Sequence, residues 1–246
     1  MMLSHTIFEL SPQDDDRLFG DALIGTVSPW ALDLLLGAYE SQKLDAAFEF
    51  YELISKIPKA GTLRGQILER QVLKYFDNLK GPHTFTLRSL EDNSTIQWVY
   101  PGPTEHHMFQ PTTFAKELQS AVSNKKSLHL VPKDPNFPAL DSTVYDPKGG
   151  LSFNQITVNL HHPVAVVGLQ RVQSWLKQNT PLANLRPSIR GRHWPFIFIV
   201  PQTISDSFTK QLFERDTVTQ EWAKKVDQYV LGIKEKSLWG RSRLHS

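Results

Sequence analysis

The sequence of 246 residues predicts an α/β fold in which a central mixed sheet is flanked by helices. Three patterns carry this prediction. Segments with helical spacing alternate with strand-like runs from residue 61 onward. The run PFIFIV within residues 194–201 is typical of a buried central strand, and DPKGG at 146–150 is a strong turn signal between two further strands.

The chain is expected to divide into an acidic helical N-terminal lobe at 1–58 and an α/β domain at 59–246. Within the lobe, 1–27 has no regular pattern. Ser28-Pro29 then begins one helix, and a second helix is predicted from Leu44 to Ile57. Neither helix carries a chemical signature.

The α/β domain is predicted as a series of helices and strands in a fixed order. The predicted elements are a helix at 62–79, a hairpin of strands at 83–89 and 94–100, a short helix at 114–122, a short strand at 128–131, strands at 139–145 and 151–159, a helix at 164–178, the buried strand, and two C-terminal helices at 203–214 and 218–233.

Composition excludes several classes of chemistry. The chain has no cysteine, which rules out disulfides, thiolate nucleophiles, cysteine-ligated zinc and iron–sulfur clusters. No apolar run is long enough to span a bilayer, so no membrane partner is expected. The first residues lack the basic and apolar regions of a secretory signal, and an intracellular location is expected.

Charge is distributed unevenly along the chain. Residues 1–123 hold 10 basic against 16 acidic residues, and residues 124–246 hold 17 against 9. The net charges of the two halves are therefore −6 and +8. This asymmetry has two explanations. The basic half binds a polyanionic partner such as DNA or RNA, or the acidic and basic halves contact each other through their opposite charges.

Four polar residues form a candidate catalytic constellation. Asp141 and Gln155 come close if their strands pair through the Gly149-Gly150 turn, and Thr157 faces the same side as Gln155. Glu69 lies on the flank of the apolar stripe of the 62–79 helix. Two carboxylates and an amide oxygen make an all-oxygen site that suits Mg²⁺.

The order of these elements resembles the core of the restriction-endonuclease-like, PD-(D/E)xK, superfamily. More narrowly, LSFNQITVNLHHPV, the helix after it, WPFIFIVP and WAKKVDQYVLGI resemble the nuclease-like domain of the RHS and Crinkler-type proteins of fungi and oomycetes. The resemblance covers about residues 60–232. It implies a restriction-endonuclease-like core for the domain at 59–246 and makes the nucleus a plausible location.

The resemblance also implies metal-dependent hydrolysis of phosphodiester bonds, with Mg²⁺ or Mn²⁺ as the cofactor. Asp141 would be the central ligand, Gln155 would stand at the second acidic ligand, and Glu69 would match the helix glutamate. The superfamily pattern of acid, any residue, lysine is here Gln155-x-Thr157, and threonine supplies no positive charge. A catalytically inactive module on the same fold, which binds nucleic acid or protein, is therefore the alternative.

Five residues are candidate nucleic-acid contacts: His162, Arg186, Arg190, Arg192 and Lys148. A solvated basic face explains the same residues equally well. Each catalytic candidate likewise has a structural reading, as a turn former (Asp141), a solvated helix residue (Glu69), a buried hydrogen-bonding group (Gln155) or an ordinary strand residue (Thr157). The sequence leaves oligomeric state open.

Overall fold

We describe the protein from a computed structural model over residues 8–12, 22–26, 29–42, 46–102, 106–134, 137–214 and 219–239. The strands are β1 (Phe8–Pro12), β2 (Ala22–Thr26), β3 (His83–Ser89), β4 (Thr95–Tyr100), β5 (His106–Phe109), β6 (Leu128–Pro132), β7 (Ser142–Asp146), β8 (Gly150–Ile156), β9 (Trp194–Pro201) and β10 (Val226–Ile233). The helices are α1 (Pro29–Gln42), α2 (Ala46–Ser55), α3 (Gly61–Asp77), α4 (Pro111–Asn124), α5 (Val166–Lys177), α6 (Gln202–Ser205), α7 (Thr219–Trp222) and α8 (Glu235–Leu238). No helix in these ranges is both long and apolar enough to cross a membrane.

The chain forms two compact units, and the border between them falls within α3. The first unit comprises residues 1–73 and 234–246, and the second comprises residues 74–233. The sequence predicts a different border, between a lobe at residues 1–58 and a domain at residues 59–246. That border stays a prediction.

The first unit combines a small strand pair with helices. β1 and β2 pair in antiparallel fashion, so the prediction that residues 1–27 lack regular structure is wrong for these two segments. Arg64 of α3 donates to the Tyr51 hydroxyl at 3.2 Å and to the Glu235 carboxylate at 3.3 Å. This guanidinium therefore joins α2 to α8 through one charged, partly buried contact.

The second unit is built on one mixed sheet of eight strands in the order β4-β3-β10-β9-β8-β7-β6-β5. β6, β7 and β8 form an antiparallel meander, and β8, β9 and β10 run parallel to one another. α5 connects β8 to β9, as a parallel pair requires. The predicted α/β class with a mixed sheet and flanking helices is therefore confirmed, as is the predicted hairpin of β3 and β4.

The sheet curls so far that strands near its two ends meet. Tyr100 of β4 and His129 of β6 are separated by five strands in the sheet, yet the tyrosine hydroxyl lies 3.2 Å from His129 Nδ1. Phe76, near the end of α3, stacks on Tyr100 at a centroid distance of 4.7 Å and meets His129 edge-on. The inner face of the curl therefore closes around an aromatic side chain.

The outer face of the sheet carries the main hydrophobic core. Phe153 of β8 and Phe198 of β9 are completely buried in the same cluster as Leu169 and Val172 of α5 and Leu118 of α4. The predicted buried central strand is confirmed as β9, in which residues 196–200 have no exposed surface. Apolar side chains on both faces explain its continuous hydrophobic run.

Three predicted elements differ from the structure. The helix predicted at 203–214 is limited to α6 and ends at Ser205. After it the chain is extended, because the Gln211 backbone N–H donates to the Gln228 side chain of β10 at 2.8 Å and Phe213 forms a β-bridge with Val164.

The segment predicted as a helix at 218–233 contains the strand β10, which lies between β3 and β9 and alternates buried and exposed residues over part of its length. Pairing on both sides outweighs the local pattern here. The strand predicted at 139–145 begins at Ser142, so Asp141 lies just before β7, and Ala139 has a left-handed backbone with φ of 76°.

A glycine in α5 allows the segment before β7 to approach the helix. A methyl group at Gly168 would lie 1.9 Å from the carbonyl oxygen of Pro138, which is a backbone atom. Gly37 of α1 is the opposite case, since nothing lies within 4 Å of the corresponding position. Close approach at Gly168 thus holds the residues that lead to Asp141 against α5.

We expect Gly168→Ala to lower the free energy of unfolding by about 1–3 kcal/mol, because helix and loop must separate to admit the methyl group. Gly37→Ala is the matched control. It should raise the free energy of unfolding by about 0.4–1 kcal/mol, since alanine lowers the conformational entropy of the unfolded chain. Urea denaturation followed by circular dichroism measures both. Equal effects of the two substitutions would contradict the close packing at Gly168.

Candidate functional site

Asp141 and Gln155 lie opposite each other at the end of the β7–β8 pair. Ser142 pairs with Asn154, and the Asp141 backbone N–H extends this ladder by donating to the Asn154 carbonyl at 2.9 Å. The Gln155 amide Nε2 donates to Asp141 Oδ2 at 2.9 Å, and the Ile156 backbone N–H donates to the same oxygen at 2.6 Å. The structure thus brings together the two residues that the turn-based pairing predicts to be close.

The contact with Asp141 gives the buried amide of Gln155 a hydrogen-bond acceptor. Gln155 is only 8% exposed and lies in a strand whose residues are all buried. A buried amide without a hydrogen bond would be costly, and the Asp141 carboxylate supplies an acceptor for its amino group. The same carboxylate accepts a backbone N–H at the end of β8, so it serves the strand pairing directly.

Thr157 follows β8 and stabilises the turn by which the chain leaves this strand. Its backbone N–H donates to the Ile199 carbonyl at 3.0 Å, and its hydroxyl accepts the backbone N–H of Asn159 at 3.1 Å. The side chain is 4% exposed. A hydroxyl used in this way stabilises the exit from the strand and brings no charge to Asp141.

Glu69 belongs to the first unit, whereas Asp141 and Gln155 belong to the second. Burial raises the pKa of Glu69 to about 7. Along the chain, the helix that directly precedes the β6–β7–β8 meander is α4, while α3 with Glu69 is separated from the meander by β3, β4, β5 and α4. The order helix, three strands, helix, strand is therefore formed by α4 through β9.

The groups around Asp141 do not fit a divalent cation held by Asp141 and the Gln155 amide oxygen. Gln155 turns its amino group, not its oxygen, toward the carboxylate, and Asp141 Oδ2 already accepts two N–H groups. A cation needs oxygen donors facing it. Over the residues that the structure describes, no cluster of three or more His, Asp or Glu side chains could hold a metal ion. Mg²⁺ or Mn²⁺ binding stays a prediction.

Four of the five candidate nucleic-acid contacts gather at the other end of the sheet. We call the edge at which β8, β9 and β10 begin the amino edge, and the edge at which they end the carboxyl edge. At the amino edge, Arg192 lies against Gly150, since a methyl group there would be 2.0 Å from the guanidinium. Arg192 and Arg186 also line a groove of about 450 Å³ with Lys177. Arg190 is exposed in the turn that the Ser188 N–H closes on the Arg192 carbonyl at 2.8 Å. We define the amino-edge basic surface as Lys148, Lys177, Arg186, Arg190 and Arg192.

Carboxylates near this surface already have partners. Asp146 accepts a backbone N–H of its own turn at 2.7 Å. Asp227 lies 2.9 Å from His193 and raises the pKa of that imidazole, and Glu221 pairs with Lys225 at 2.5 Å. None of the five cations of the amino-edge basic surface forms an ion pair with a carboxylate among the described residues. Lys225 and, to a smaller extent, Lys177 lower the pKa of the Glu221 carboxyl, and the charges of the four cations of the surface other than Lys177 are available to an anion in solvent.

The basic surface and the Asp141 site are separated by the length of β8. Gly150 begins this strand beside Arg192, and Ile156 ends it beside Asp141. At about 3.3 Å per residue, the two ends lie about 20 Å apart. One phosphate cannot contact both, as the predicted hairpin already implies, since Lys148 lies in its turn and Asp141 lies at its open end.

His162 lies on the carboxyl-edge side, apart from the arginines. It follows the end of β8 and precedes α5, and its backbone N–H donates to Gln211 Oε1 at 2.7 Å. Burial lowers the pKa of His162, although the carboxylate of Glu214 opposes this shift. The imidazole is therefore neutral near pH 7 and supplies no cation for a phosphate.

The sequence analysis missed two features. Lys177, at the end of α5, belongs to the amino-edge basic surface through its groove with Arg186 and Arg192. Trp98 is half-buried in the outermost strand β4 and lines an open cleft. The polar residues on both sides of Trp98 in TIQWVY are the signal that could have placed it near solvent.

Fold and site together define an α/β protein with a curled, mixed, eight-stranded sheet and a basic surface at its amino edge. No protein family, curated protein or solved structure matches the chain. The restriction-endonuclease-like assignment, the nuclear location and the nuclease activity accordingly stay predictions.

We expect Asp141→Ala to lower the free energy of unfolding by about 1–3 kcal/mol, because it leaves the Ile156 N–H and the Gln155 amide without their acceptor. Asp141→Asn keeps one acceptor oxygen and should cost less. Urea denaturation measures both variants. Unchanged stability of Asp141→Ala would contradict the structural role of this carboxylate.

We expect stability to fall as pH rises from about 4.5 to about 7, since in this window the folded chain holds the Glu69 proton that the unfolded chain releases. Glu69→Gln should lack this part of the pH dependence and should exceed the wild type in stability at pH 8. Unfolding in urea at pH 5 and pH 8 measures the difference. The exposed Glu52→Gln is the control and should follow the wild type.

Proposed function

We propose that this chain is a nuclease-like α/β domain that binds nucleic acid through the amino-edge basic surface and does not cleave it. The observation that carries the proposal is the grouping of five cations at one edge of the sheet without ion-pair partners among the described residues. Such a surface suits the repeated phosphates of DNA or RNA, whose counterions are released on binding.

The arrangement around Asp141 supports binding without cleavage. Its carboxylate holds the Gln155 amide and the end of β8, and Thr157 stands at the position where the resemblance expects lysine. The proposed phosphate contacts lie about 20 Å away along β8. A strand of nucleic acid on the basic surface would therefore have its nearest phosphates far from Asp141.

The order of elements supports the finer fold assignment. α4, the meander β6–β7–β8, α5 and β9 follow in the order helix, three strands, helix, strand. The resemblance to the restriction-endonuclease-like superfamily rests on the same order with the helix of Glu69 in first place, where the chain has α4. A family of nucleases would be a natural source for a domain that keeps affinity for phosphodiesters after losing the catalytic residues.

We expect labelled DNA and RNA strands to bind the full chain with an affinity that falls steeply with salt. The double variant Arg190→Gln, Arg192→Gln should bind more weakly and should lower the slope of log affinity against log salt by about 2. Fluorescence anisotropy from about 50 to 200 mM salt measures both quantities. Lys56→Gln, Lys116→Gln removes the same charge from exposed sites elsewhere and should leave binding nearly unchanged.

Cleavage is measured on the same strands with Mg²⁺ or Mn²⁺, for wild type and Asp141→Ala. We expect no cleavage by the wild type above the level of the variant. Cleavage that disappears in Asp141→Ala would overturn the non-cleaving part of the proposal and favour a metal-dependent nuclease. Equal binding by the Arg190, Arg192 variant and the wild type would overturn the binding surface.

A further inference from the structure

An open cleft lies inside the curl of the sheet at its amino edge. Its volume is about 620 Å³, within the roughly 300–1,000 Å³ typical of small-molecule sites. One wall is the edge strand β4 with Trp98, and the other is the β7–β8 hairpin with Lys148 and Ser152. Pro195, at the start of β9, and Ser127, just before β6, also line it.

The walls of the cleft differ in chemistry. Trp98 offers a half-buried indole between Gln97 and the exposed Val99. Lys148 supplies a cation from the opposite wall, and the exposed guanidinium of Arg192 lies against Gly150, which lines the same wall. The one carboxylate among the residues described around the cleft, Asp146, accepts the Gly149 N–H. An aromatic face beside cations is suited to a base with its phosphates.

We infer that this cleft takes an unstacked base of single-stranded nucleic acid, which stacks on Trp98 while its flanking phosphates contact Lys148 and Arg192. The inference rests on the proposed function and narrows it to single strands. The bases of a duplex are paired and stacked within it, so they cannot enter a recess inside the sheet.

The position of the cations favours a polymer over a free nucleotide. From Lys148 in the wall of the cleft, the amino-edge basic surface continues through Arg192 to Arg186 and Lys177 in the adjoining groove. A single nucleotide would use only the first of these cations. Successive phosphates of one strand would use the others as well.

The test measures how tightly the full chain binds a labelled strand of 12 thymidine nucleotides and a labelled duplex of the same length. The fluorescence anisotropy of the label reports binding. We expect the wild type to prefer the single strand. Trp98→Leu should weaken single-strand binding by about ten- to hundredfold, as loss of one stacked base does. It should leave duplex binding unchanged, and quenching of tryptophan fluorescence by the strand should diminish.

Trp98 also contacts Phe76 and Phe85, so a second variant leaves that cluster intact. Ser127→Trp fills the cleft from its other side and should block the single strand without affecting the duplex. Ser123→Trp, on the exposed surface of α4, is the control and should bind as the wild type does. Thymidine monophosphate should compete only at concentrations far above those of the strand.

Three outcomes overturn the inference. Equal affinity for single strand and duplex, or unchanged single-strand binding by both Trp98→Leu and Ser127→Trp, excludes the cleft as the base site. If binding then still depends on Arg190 and Arg192, the proposed function stands without the cleft. If neither nucleic acid binds, both the inference and the proposed function fail.

Discussion

The curl of the eight-stranded sheet depends on the aromatic cluster around Phe76. Its ring stacks on Tyr100 and contacts His129 edge-on, and the Tyr100 hydroxyl bridges to the imidazole. These contacts join strands that the hydrogen-bonded order keeps far apart. Without a large ring at this position, Tyr100 and His129 would lose the side chain on which both pack, and the strand β4 that forms one wall of the cleft would lose this support.

The parallel strands β8, β9 and β10 give the second unit two chemically different edges. At the carboxyl edge, polar side chains are used for structure: Asp141 holds Gln155, and Thr157 forms the turn. At the amino edge, cations extend toward solvent without ion pairs to described residues. The separation follows from strand direction alone, because all three strands begin on the same side.

The parts of the fold that local patterns could predict are those that local chemistry determines. The apolar run of β9 and the glycine turn before Gly150 led to a buried strand and to the Asp141–Gln155 pairing. β10 was missed because its identity as a strand comes from pairing with β3 and β9, which are distant in sequence. The same limit applies to the site: that Arg192 lies against Gly150 depends on strand order, which no local pattern reveals.

The place of β10 has a consequence for how the protein is made. β3 ends at Ser89, and its sheet partner β10 begins only at Val226, so a ribosome that adds about 5–20 residues per second leaves β3 and β4 waiting for several seconds to half a minute. During synthesis the hairpin of β3 and β4 and the block from β5 to β9 are two incomplete sheets with unpaired edges. β10 joins them, so those edges stay unpaired in the nascent chain until residues 226–233 have been synthesised.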